Sequence, residues 1–196
     1  MKSINLVCFT ILFFISSNSI FGQHKIYGGF KLTSNYSVFT EKVQEWKSRL
    51  GYGFGYFEVM ELDYPVNLQA EINFTTNTFI NKTSFGTQSV KITNNYHSFE
   101  IPLLAKYRIN DHFSFGIGYQ FSIGSSGKSK TVLDNNGNQS KSSTNLTGIN
   151  TSGFLFDANH SSEKTMFGFR IIRTNDNFID PFKSINASVF FGFKLF

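Results

Sequence analysis

Three features of the 196-residue sequence predict an all-β chain, an eight-stranded antiparallel transmembrane β-barrel that follows a cleaved signal peptide. The first is an export leader at the N-terminus. The second is repeated apolar/polar alternation with a period of two. The third is a set of connections that are short at one end of the strands and longer at the other.

The leader, MKSINLVCFTILFFISSNSIFGQ, has Lys2, an apolar run from Ile4 to Ile15, and small or polar residues before Gly22 and Gln23. A positive start, a short apolar core and a small residue at the cut make a secretory signal. The run is shorter than the roughly 20 residues of a spanning helix. Residues 1–22 are assigned to the signal peptide, cut after Gly22 or Gln23, and 23–196 to one barrel domain. Cys8 lies inside the leader, so the mature chain has no cysteine and no disulfide. Loss of Lys2 takes the formal charge from +5 to +4, too mild to argue for nucleic acid.

The strands follow in order. Residues 24–36 place Ile26, Phe30 and Leu32 on one face. Residues 48–58 alternate Leu50, Tyr52, Phe54 and Tyr56 with glycines. The third strand, roughly 65–79, sets Val66, Leu68, Ala70, Ile72 and Phe74 against Asn67, Gln69, Glu71, Asn73 and Thr75. The fourth, 96–109, sets Phe99, Ile101, Leu103, Ala105, Tyr107 and Ile109 against Glu100, Lys106 and Arg108. The fifth, 112–124, alternates Phe113, Phe115, Ile117, Tyr119, Phe121 and Ile123 with Ser114, Gly116, Gly118, Gln120 and Ser122. A weak sixth strand falls within 146–157, the seventh spans 163–174 and the eighth 183–196. Successive strand side chains point to opposite faces, so each segment has one greasy and one wet face. A load of 25 Phe and 8 Tyr among 16 Gly suits strands rather than helices. Pro102, inside the fourth strand, implies a local bulge or slight kink.

Asn110 and Asp111 form a tight turn, and the link at 59–64 is short. Segments 35–47, 80–95 and 125–145 are longer; the last is a Ser/Asn/Gly/Lys run that cannot bury a core. Short turns opposite long loops is the outer-membrane barrel pattern. In that reading the greasy faces meet lipid. The wet faces, with Glu71, Glu100, Lys106, Arg108, Arg170 and Lys194, fill a narrow lumen where opposite charges pair. Closure leaves no unsatisfied strand edge in hydrocarbon. Alternation alone fits a soluble lipocalin-like carrier turned inside out. The Phe load, the absence of disulfides and the lack of a Gly-x-Trp start, with Trp46 in a polar loop, speak against it.

FEIPLLAKYRI (99–109) is similar to the "E-(I/V)-P-L-L-x-K-Y" strand of the PorT-like outer-membrane β-barrel family. A Phe-rich GxGY strand follows, here FGIGYQF (115–121). With the leader ending SIFGQ and the terminal FFGFKLF, the mature chain resembles that family throughout. The resemblance implies an eight-stranded outer-membrane barrel, with one branch of the family tied to protein secretion. Two departures are the terminal strand, where Lys194 and Gly192 are in phase with Phe196, and the indistinct sixth strand.

Candidate chemistry is thin. His97 with Ser98 and Glu100, and His160 with Ser161 and Glu163, hold the residue types of a Ser-His-acid site. No motif surrounds them, and strand neighbours point apart. The histidines at 24, 97, 112 and 160 show no metal-ligand spacing, and no phosphate or dinucleotide loop occurs. No catalytic, cofactor or metal residue is assigned. Asn35, Asn81, Asn145 and Asn150 sit in Asn-x-Ser/Thr triplets that an Asn-rich composition produces. Lys128, Lys130 and Lys141, against Asp134, make the longest loop cationic: either a contact with lipopolysaccharide phosphates or a solvated loop. The expected function is a non-enzymatic outer-membrane scaffold, using loops or periplasmic turns toward a protein partner. A barrel-embedded lipid-modifying enzyme and a soluble ligand carrier are the alternatives.

Overall fold

The structure, a computed structural model, describes residues 25–39, 46–147, 152–176 and 182–195. The expected signal peptide and cleavage site, His24, Asn150 and Phe196 lie outside the described residues. Nine strands form one antiparallel sheet: β1 (Lys25–Phe39), β2 (Trp46–Glu61), β3 (Val66–Phe85), β4 (Gln88–Arg108), β5 (Phe113–Asn135), β6 (Asn138–Thr147), β7 (Gly153–Ser161), β8 (Thr165–Asp176) and β9 (Phe182–Lys194). Pairing of β1 with both β2 and β9, and of β4 with β5, closes the wall. β5 is 23 residues long and pairs with two strands in series: its first half with β7, its second with β6. β6 and β7 are therefore one stave in two pieces, and the barrel has eight staves.

That arrangement corrects the sequence reading in two places. The segment 125–145, expected to be a long connection between strands, is the distal half of β5 and most of β6. Their hairpin turns on Asn136 and Gly137, with φ of 50° and 88°. Two successive positive-φ residues make the tight turn whose twist matches a hairpin. Likewise 80–95 is a hairpin, Phe85 pairing with Gln88 around Gly86. The compositional argument holds in one respect: β6 buries almost nothing, only Leu146 being partly covered. β6 forms by pairing with β5, and the distal half of β5 by pairing with β4 and β6, not by covering a core.

Outward faces carry Phe30, Leu32, Phe54, Leu68, Leu103, Phe115, Ile117, Phe154, Phe167 and Phe193, all exposed. Inward faces carry Lys31, Asn67, Gln69, Glu71, Asn73, Ser98, Glu100, Lys106, Gln120, Asp157 and Arg170, all buried. A barrel with its apolar side chains outside and its polar ones inside is the reverse of a water-soluble carrier. Near the short turns the lumen is closed by Phe57, Val59, Met166 and Phe190, with Tyr27 against them. Gly168 makes room for the Phe190 ring. A Cβ there would meet that ring and, at 2.6 Å, the Ala158 carbonyl oxygen. Gly168→Val is expected to cost about 1–3 kcal/mol by overpacking, read as a lower urea midpoint for the folded barrel in lipid.

Two bulges reverse the facing of the distal segments. Between Arg49 and Tyr52, β2 holds one residue more than β3. Opposite Phe99 and Glu100, Ile123 is an extra residue in β5. A one-residue slip sends every later side chain to the other face. Lys47, Arg49, Lys128 and Lys130 thereby lie on the outer face, not in line with the lumen. At Pro102, where the sequence implies a local bulge or slight kink, the ladder to β3 lapses between Leu103 and Glu100 but resumes in the same register. The missing proline N–H interrupts bonding without inserting a residue.

Candidate functional site

The lumen is built around five charged side chains from five strands. Arg170 of β8 donates from Nη1 and Nη2 to the two Glu71 carboxylate oxygens at 2.8 and 2.7 Å. It also donates from Nε and Nη2 to Asp157 Oδ2 at 3.1 and 2.8 Å. Lys31 pairs with Glu71, and Lys106 pairs with Asp157 at 2.8 Å. Gln69 and Asn73 donate further bonds to Glu71. Lys31 and Arg170 also lie over the Phe190 ring, 5.1 and 5.5 Å from its centroid. Buried ions persist only when paired and hydrogen-bonded in this way.

Of the inward charges expected from sequence, Glu71, Glu100, Lys106 and Arg170 are in the lumen. Two corrections follow. Arg108, expected beside Glu71 or Glu100, sits at the short-turn mouth, 3.6 Å from Glu61 and half-exposed. Lys194 is at the same mouth, donating to the Ser162 carbonyl at 2.6 Å above the Tyr27 ring. Lys31 and Asp157 were missed. Lys31 sits between glycines and apolar residues of β1, and Asp157 in the strand that lacked a clear pattern.

The Ser-His-acid sets do not assemble. Ser98 donates to Glu100 at 2.7 Å inside the lumen, while His97 is outside, stacked on Phe74 at 5.7 Å. His160 stacks on His112 at 5.6 Å and edges Phe113 at 4.9 Å. Ser161 is tied to the turn through its backbone N–H, 2.7 Å from the His112 carbonyl. Among the described residues no group of three His, Cys, Asp or Glu is placed to hold a metal.

Cavities point the same way. Two cavities inside the barrel measure about 30 Å³ beside Arg170 and about 60 Å³ at the short-turn mouth. That is room for a few waters at most. A much larger hollow, about 830 Å³, lies outside the wall, over Ala70, Ala105 and Gly118 between Met60, Ile117, Tyr119 and Phe154. Small residues dent the outward-facing surface there, and Glu58 borders the hollow.

Residues 17–193 match the family model described as the outer membrane protein beta-barrel domain. The chain belongs to that family. This outer-membrane barrel crosses with strands; among the described residues no helix is long and apolar enough to span a membrane. It is similar to Ail, the attachment invasion locus protein of Yersinia pestis, solved with the heparin analogue sucrose octasulfate. Identity is 13% over 87% of this chain and 99% of that one, with a TM-score of 0.48. OprG of Pseudomonas aeruginosa is 10% identical over 87% of this chain and 94% of its own, TM-score 0.42. Neisserial surface protein A is 12% identical over 87% and 97%, TM-score 0.40. No curated protein sequence matches it.

Proposed function

We propose that this barrel is a non-enzymatic scaffold of the outer membrane, released from a signal peptide at 1–22, that presents a projecting β-sheet to a partner. The observation that carries the reading is the distal half of β3, β4, β5 and β6. These strands run past the lipid belt as a four-stranded sheet. Among the described residues β6 pairs on one side only, with β5. A free strand edge of Ser, Asn and Thr is a template for a partner's extended segment. The filled lumen favours neither conduction nor a substrate site, and the separation of His97 from Ser98 argues against the embedded enzyme. Contact with lipopolysaccharide accompanies this placement. A link to protein secretion rests on the PorT-like strand 99–109 and extends the same reading.

Photo-crosslinking from Ser142, on the β6 edge, in intact cells is expected to give discrete protein adducts. Adducts from the turn residue Asp111 alone would move the interface to the periplasm. A changed outer-lipid profile in His97→Ala/Ser98→Ala would favour the enzyme instead.

A further inference from the structure

The outer face of the projecting sheet is cationic in a way that its sequence order hides. Lys82 and Lys91 are directly opposite each other on β3 and β4. On β2, Lys47 is opposite Ile80 and Arg49 opposite Thr78. Partners in an antiparallel ladder share a face, so all four cations stand on one side. They line a pocket of about 270 Å³ with Ser48 and Ile80. Lys130 and Lys128, opposite Thr93 and Asn95, continue the same face across β5. Lys141, opposite Val132, extends it onto β6. Asp134 is the one acid on that face among the described residues. The ion pairs found among the described residues are all in the lumen or at the short-turn mouth.

Like charges directly opposite in a ladder are destabilising, so the Lys82–Lys91 pair calls for an anion between them. The pocket's height says which kind. Phe54, Phe74 and Phe99 form a cross-strand aromatic row on the outer surface, with Phe74 5.4 and 5.1 Å from its neighbours. Aromatic rows of this kind mark the interface of a membrane barrel. Thr78, level with Arg49, is four residues past Phe74, or about 10 Å of height on a tilted strand. Behind the pocket, Phe79 stacks on Tyr96 at 5.5 Å with Trp46 and Leu146 packed against them. The platform is thus firm, and its cations stand where headgroup phosphates of the outer leaflet lie.

The geometry points to Lys47, Arg49, Lys82 and Lys91 as a binding site for the phosphate of a phosphorylated outer-leaflet glycolipid, with Lys128, Lys130 and Lys141 widening the attracting field. This rests on the outer-membrane orientation and deepens the lipopolysaccharide contact proposed above. It names a site where the sequence shows only scattered lysines.

The test uses the full barrel refolded in detergent and titrated with bisphosphorylated lipid A, dephosphorylated lipid A and phosphatidylglycerol. Wild type is expected to prefer bisphosphorylated lipid A at least tenfold over the dephosphorylated form, with affinity falling as salt rises. Lys47→Gln/Arg49→Gln/Lys82→Gln/Lys91→Gln should lose that preference while keeping its folded, heat-modifiable mobility. All four side chains leave the wall outward, so the lumen is untouched. Lys128→Gln/Lys130→Gln/Lys141→Gln should weaken binding but keep the preference. Equal losses in the two variants, or equal binding of phosphatidylglycerol, would mean diffuse attraction and overturn the site. Preferential retention of single-stranded oligonucleotide over lipid A would overturn it in favour of a nucleic-acid surface. None of these readouts depends on a protein partner at the β6 edge, so this site and the scaffold fail separately.

Discussion

Glu71→Leu is expected to destabilise the barrel by about 3–5 kcal/mol, the range for breaking a buried ion pair from one side. The luminal cluster holds three cations, Lys31, Lys106 and Arg170, against two carboxylates, Glu71 and Asp157. Removing Glu71 takes from Lys31 the carboxylate it pairs with and leaves Arg170 paired with Asp157 alone. Removing Arg170 is different: Lys31 still meets Glu71 and Lys106 still meets Asp157, so each remaining member of the cluster keeps a partner of opposite sign. Arg170→Met is therefore expected to cost less than Glu71→Leu, although Arg170 makes more bonds. The double variant Lys31→Met/Glu71→Leu should recover part of the loss, because it removes a charge of each sign. Urea unfolding in lipid vesicles measures all three. A Glu71→Leu barrel within about 0.5 kcal/mol of wild type, the scale of an ordinary surface change, would mean that water screens the cluster.

Much of this architecture is legible in residues 66–74 and 113–121, where alternation is strict and the lumen and lipid sets separate cleanly. Glu71 and Gln120 are inward and Ile117 outward, as the pattern requires. Legibility fails where a second rule competes with alternation. Ile123 and the residues between Arg49 and Tyr52 are bulges, and nothing in their composition marks them. Counting by twos past them assigns Lys47, Arg49, Lys128 and Lys130 to the wrong side. The β5–β6 hairpin failed for another reason. Its residues lack apolar side chains, so the periodicity argument is silent, yet Asn136-Gly137 is a strong short-range hairpin signal in plain view. The polar neighbours of Trp46 place it in a polar loop by sequence; its side chain is half-buried against Phe79 and Tyr96. Arg108 was misplaced by one step of depth. Alternation says inward, but not whether inward means mid-lumen or mouth.

A lysine at Ile117 is expected to cost about 2–4 kcal/mol, the midplane penalty for a cation on a lipid-facing barrel position. Ile117 is 68% exposed and borders the dent over Ala105 and Gly118, whereas Gln120, three residues on, is 2% exposed inside the lumen. The same substitution at Phe113, where β5 leaves the short turn, should cost no more than about 1 kcal/mol because the interface is wet. The gradient between the two positions matters more than either value. A soluble barrel with this wall would gain from a lysine at Ile117 by replacing exposed hydrocarbon with charge. Cysteines placed singly at 117 and 120 give an independent reading, since residues 23–196 have none. In intact membranes a lipid-soluble photoreactive probe should mark position 117 and miss 120. A water-soluble thiol reagent should reach neither: lipid shields the first and the packed lumen the second. Free aqueous labelling at 117 would place that face in water and remove the ground for the membrane span.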